Sequence, residues 1–264
     1  MKKITGFTSI AFISTGIMLV CGALIFSTLF FKKTKNRVKH NLFVQLPLNI
    51  EAIKKLQRNL DPVIDKIIQE ELGVKQDKNL PIFFFKKRQA ITVYYINDAY
   101  DNGENFLFTQ LDVLRIKSVP KNVTIKSEVA FFGGTEAQLI DLVGFIDDLS
   151  GELLALNKEI KPSVYRVNEE YKKLYHFNFY DIAKSEQFSF KPHISLGHLR
   201  LNSIKSLFKD PLIANSIIER IKQRIMNIVS QALLQLTVDE RKILFDKLCI
   251  YDQQKREYIK EYNF

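Results

Sequence analysis

The sequence predicts an α+β fold behind one N-terminal transmembrane helix, and three observations carry that reading. Runs rich in β-branched and aromatic residues alternate with stretches whose apolar residues recur every three or four positions. The body of the chain is nearly balanced in charge. The first 31 residues instead hold a long run without any charge.

The chain has 264 residues, 46% apolar and 26% charged, enough for one large domain or two small ones with a real core. Ten glycines and seven prolines exclude a collagen-like chain, and no long heptad run marks a coiled coil. The two cysteines, Cys21 and Cys249, cannot build a disulfide scaffold, and no Cys/His spacing reads as a zinc site. No metal and no cofactor is expected. The formal charge of +10 is unevenly placed. Residues 1–39 hold Lys2, Lys3, Lys32, Lys33, Lys35, Arg37 and Lys39 and no acid; without those seven, 32 basic residues face 29 acidic ones, a net +3. A near-neutral body argues against tight binding to DNA duplexes.

Residues 1–3 form a short basic N-terminus, and residues 4–31, from Ile4 to Phe31, carry no charge. A helix of that length spans about 42 Å at 1.5 Å per residue, more than the roughly 30 Å of bilayer hydrocarbon. The run far exceeds the apolar core of a secretory signal peptide, and Met18-Leu19-Val20-Cys21 lacks the small residue a lipobox wants at position 20. An uncleaved anchor in the lipid bilayer is therefore expected. The basic residues of a juxtamembrane linker, 32–41, place the following domain in the cytoplasm by the positive-inside rule.

The domain is expected over 42–264. Leu42 to Leu48 reads as a strand. Ile53, Leu56, Leu60, Val63/Ile64 and Ile67 then mark an amphipathic helix, kinked or restarted at Pro62, with Gly73 past its end. Ala90 to Ile96 is a strand stopped by Asn97-Asp98, and Asp101-Asn102-Gly103 is loop. Val123 to Phe132 is a strand closed by Gly133-Gly134, with Gln138 to Phe145 its partner. A helical stretch over 150–176 is broken near Pro162; Phe190 to Leu196 is a strand; Ala214 to Ala232 keeps helical spacing for five turns. Leu244 to Tyr251 is a last strand before a charged tail.

Of four histidines, three are set aside. His40 lies in the basic linker, and His176 ends a helix where a cation suits the dipole. His198 lies five positions after His193, so an unbroken strand would turn it to the opposite face. His193 and Ser195 share a face, putting a proton carrier beside a hydroxyl that can bind a phosphoryl oxygen.

Phe190-Lys191-Pro192-His193-Ile194-Ser195-Leu196-Gly197 resembles the second signature of the two-histidine phosphoesterases, the superfamily of bacterial 2′-5′ RNA ligases and RNA cyclic phosphodiesterases. Phe43 to Leu48 is similar to that family's opening strand, and Phe245 to Tyr251 with Tyr258 to its closing one. The resemblance covers roughly residues 42–258. It implies a bilobal α+β fold whose two His-x-Ser/Thr motifs face each other across a groove. It also implies acid–base chemistry without a metal on a 2′,3′-cyclic phosphate or a 2′-5′ phosphodiester. His193 would be the catalytic residue, with Ser195 and Thr92 binding phosphate. One position departs: Ala90 stands where the first histidine belongs. A methyl cannot transfer a proton, and such help is worth about 10²–10⁴ in rate. On an extended strand Lys86, Arg88 and Tyr94 share the parity of Ala90 and Thr92, so Arg88 and Tyr94 are auxiliary candidates, whereas Gln89 needs a bulge to reach that face. Three functions stay open: an enzyme on RNA ends or small nucleotides, a degenerate binder of the same ligands, and an interaction module in which His193 is incidental.

Overall fold

The computed structural model describes residues 39–48, 50–74, 80–112, 120–121, 123–134, 136–187 and 190–264. Among these, nine strands form one sheet in the order β7-β4-β5-β6-β3-β1-β8-β9, with β2 attached to β6, and every pairing is antiparallel. The strands are β1 Lys39–Leu48, β2 Phe83–Phe85, β3 Gln89–Tyr100, β4 Val123–Phe132, β5 Leu139–Asp148, β6 His193–Arg200, β7 Lys242–Ile243, β8 Lys247–Asp252 and β9 Glu257–Asn263. The helices are α1 Glu51–Leu72, α2 Glu104–Asp112, α3 Glu152–Tyr175, α4 Ile182–Glu186, α5 Leu201–Lys205, α6 Pro211–Leu234 and α7 Val238–Arg241. This is the α+β class expected, in a single sheet.

The helices divide between the two halves of that sheet. The α6 helix packs on β4 and against α1, which also touches β2, whereas α3 packs on β3 and beside α2. Most of the periodic residues are buried, with Val63 and Leu174 the exposed exceptions. Ile53, Leu56, Leu60, Ile64 and Ile67 line the inner face of α1, and Leu153, Leu156, Ile160, Val164, Val167 and Tyr171 that of α3. Gly73 caps α1 in the left-handed region at φ 66°, its N–H bonded to the Gln69 carbonyl at 2.9 Å. Asp210 caps α6, accepting from the Leu212 N–H at 2.8 Å, with Pro211 in the first turn.

Several boundaries differ from the expected ones. The α3 helix runs unbroken through Pro162, because a buried stripe on both sides of the proline outweighs one missing hydrogen bond. The β3 strand continues past Asn97-Asp98: Asp98 adopts φ 53° at an irregularity, and its N–H reaches Asn41 Oδ1 at 3.0 Å. The charged tail is the edge strand β9, whose lysine and glutamates are what an edge carries. The expectation of a single-pass membrane protein is corrected. No helix among the described residues is long and apolar enough to cross a membrane, and the run 4–31 on which it rested lies outside them.

Candidate functional site

The two halves of the sheet meet where β3 pairs with β6 through Ile91 and Ile194, both fully buried. Antiparallel register about that pair sets Ala90 beside Ser195 and Thr92 beside His193. With the isoleucines inward, these four residues share the opposite, half-open face. The two motifs inferred from the sequence therefore adjoin each other.

His193 opens β6. Its Nδ1 lies 2.7 Å from the Lys191 carbonyl, which can only accept, so Nδ1 carries the proton and Nε2 is left as the basic nitrogen. Phe132 stands edge-on to the imidazole, 5.1 Å between centroids. On β3, Thr92 Oγ1 accepts from Gln45 Nε2 at 3.0 Å; Gln45 is its buried cross-strand partner on β1.

Two bulges rearrange the neighbours that plain strand parity assigned. On β6, Gly197 pairs with Leu142 and Ser195 with Val143, which leaves Leu196 as an extra residue. The extra residue turns His198 back to the face of Ser195. There Asp141 of β5 joins them: its Oδ1 receives His198 Nδ1 at 2.6 Å, and its Oδ2 receives Ser195 Oγ at 3.4 Å. Setting His198 aside was thus an error of parity, and Asp141 was missed altogether. The available signal was Gly197, since a glycine inside a strand marks a bulge or a close approach. Here it marks both, because a Cβ would come within 2.6 Å of the Phe83 ring and 2.9 Å of the Phe84 carbonyl oxygen.

On β3 the shift falls at Val93, between the pairs Gln45–Thr92 and Val44–Tyr94. Its carbonyl accepts from Asn157 Nδ2 of α3 at 2.6 Å. The parity that aligned Tyr94 with Thr92 ends there, and Tyr95 takes that direction instead, lining the same cavity as Thr92. Tyr94 donates to Glu186 of α4 at 2.5 Å, a carboxylate also held by Lys161. Arg88 is exposed ahead of β3.

The charges are coupled. Burial alone would raise the Asp141 carboxyl, but the His198 hydrogen bond, the His198 charge and the Lys86 ammonium hold it below its ordinary value. Burial pulls Lys86 down, and the Asp141 charge only partly offsets that. Burial pushes the Tyr95 phenol up. A cavity of about 810 Å³ opens over this face, with Thr92, Asp141 and His193 in its wall beside Phe43, Tyr95 and Phe190.

Elsewhere among the described residues, His40, Glu104 and Asp252 bring potential ligand atoms within 4.8 Å of one another. His40 is buried in β1, 2.8 Å from Asp252 and 3.2 Å from Glu104, rather than lying in a linker. Lys255 Nζ sits 3.3 Å from both carboxylates, and the Asp252 Oδ1 accepts from the Gln254 and Lys255 N–H groups. A cation is already in place, so this cluster ties the β8–β9 turn to β1 and α2 rather than offering a metal site. His176 caps α3 at φ 63°, its N–H bonded to Lys172.

No protein-family model and no curated protein matches the sequence. Solved structures do share the fold. Usb1 of Kluyveromyces marxianus is similar at 12% identity with a TM-score of 0.53, over 86% of this chain and 99% of that one. The same protein with uridine monophosphate is similar at 13% identity with a TM-score of 0.50, over the same shares. At such identities the likeness is one of fold.

Proposed function

We propose that the face around Thr92, His193 and Ser195 is the phosphate site of a bilobal two-histidine phosphoesterase-like protein. In this reading it acts on RNA ends or small nucleotides. The observation that supports it most is the Ile91–Ile194 pairing, which brings two sequence-distant x-hydroxyl motifs onto one open face. The fold likeness to a protein solved with uridine monophosphate favours a nucleotide ligand. His193 Nε2 moves a proton in opening a 2′,3′-cyclic phosphate or cleaving a 2′-5′ phosphodiester, and the Thr92 and Ser195 hydroxyls bind phosphoryl oxygens. His198, oriented through Nδ1 by Asp141, supplies a second imidazole near Ser195, while Lys86 sets a cation against the same carboxylate.

The second reading is a binder of the same ligands with little or no turnover, and Ala90 at the first motif favours it. One experiment separates the two. The full chain is assayed on a nucleoside 2′,3′-cyclic phosphate and a 2′-5′-linked dinucleotide, beside His193→Ala and Ala90→His. Turnover in the parent that disappears in His193→Ala supports the enzyme. A silent parent that gains activity in Ala90→His supports the binder. Silence in all three, without binding of either compound, overturns both.

A further inference from the structure

A row of rings leads away from this site. On the site's face of β3, β1, β8 and β9, register sets Tyr95 beside Phe43, Phe43 beside Tyr251 and Tyr251 beside Tyr258. The centroids are 5.3, 6.3 and 5.5 Å apart, and Phe43 and Tyr251 lie within 13° of parallel. All four rings are half-buried, with area still open to solvent. Three strand spacings separate the ends of the row, roughly 14 Å. Its near end is continuous with the phosphate site, since Phe43 and Tyr95 line the same cavity as Thr92 and His193. At its far end the exposed Arg88 guanidinium lies close enough for its charge to act on the Tyr258 phenol.

We propose that this row is a track for single-stranded RNA. The strand's terminal phosphate sits at Thr92 and His193, and its next nucleotides lie across β1, β8 and β9 with their bases on the rings. The proposal rests on the phosphate-site reading above and extends it from a mononucleotide to an oligonucleotide. A line of aromatic rings suits this occupant because every base has a face to stack, so affinity comes without sequence readout. A duplex would not fit the role, since its bases are already stacked on one another.

The track is tested by measuring binding of the full chain to uridine monophosphate and to oligouridylates of two, four and eight nucleotides carrying a terminal 2′,3′-cyclic phosphate. Affinity should rise with length and level off near four nucleotides. Tyr251→Ala and Tyr258→Ala should each weaken the four-nucleotide ligand roughly 5- to 100-fold and leave uridine monophosphate unchanged. Tyr258→Phe, which keeps the ring, should bind like the parent. Equal affinity for one and four nucleotides would overturn the track while leaving the phosphate site standing. Equal losses for both ligands in the tyrosine variants would also overturn it. No binding of any of these ligands would overturn both readings.

Discussion

At Ala90 the proposed phosphate site carries only a methyl, and at His193 an imidazole whose tautomer is set by the Lys191 carbonyl. The Lys191 carbonyl holds the Nδ1 proton, so Nε2 is free to act as a base, while the methyl of Ala90 beside Ser195 offers nothing in return. Ala90→His should raise turnover of a 2′,3′-cyclic phosphate by about 10²–10⁴, read in steady-state rates, and an unchanged rate would show that the Ser195 side takes no part in proton transfer. Asp141 carries the electrostatics. Its carboxyl is held below the ordinary value, so its charge contributes stability above the unfolded value near 4, and that contribution is lost as pH falls through the lower folded value. Urea midpoints of the parent and of Asp141→Asn should therefore differ at pH values above the unfolded value near 4 and converge in acid; a constant gap would argue against the ion pair. The same variant replaces the carboxylate that orients His198, and it should alter the pH profile of any turnover as well.

Periodicity made the long elements legible, and bulges hid part of the site. The helices α1, α3 and α6 were plain because apolar residues repeat every three or four positions along each, and most of that stripe is buried. The strands carrying Thr92 and His193 were also legible, since each alternates between core and open face. Parity counted from those residues then failed at Val93 and Leu196, where one extra residue reverses every later side chain. Tyr95, Asp141 and His198 fall beyond those reversals or on a neighbouring strand, so spacing alone could not gather them. The short β2 and the edge β9 were obscure for a different reason: three residues show no period, and an edge strand is polar on one side. The β6 bulge can be tested directly. Gly197→Ala would press a methyl into the Phe83 ring and the Phe84 carbonyl, and should cost about 1–3 kcal/mol in urea unfolding. A neutral substitution would mean that β2 can move aside freely.

Across the molecule, the site lies on the seam where one half of the sheet becomes the other. β3 and β6 share the Ile91–Ile194 pair, α3 touches both β3 and β5, and the Lys86 N–H reaches the Leu196 carbonyl at 2.8 Å. With contacts crossing the seam on several elements, the described body should unfold as one unit. Tyrosine fluorescence and far-ultraviolet circular dichroism should then trace a single superimposable transition, and two separated steps would show the halves to be independent. One buried atom gives a way to watch part of this happen. Cys249, on the same face of β8 as the row of rings, has no exposed surface, and burial pushes its thiol up to about 12. A thiolate is the reactive form, so the folded protein protects this sulfur twice, by access and by protonation. In a Cys21→Ser chain, slow alkylation at neutral pH becomes a clock for the moments when β9 lifts from β8. If an RNA strand lies across Tyr251 and Tyr258, adding it should slow that clock.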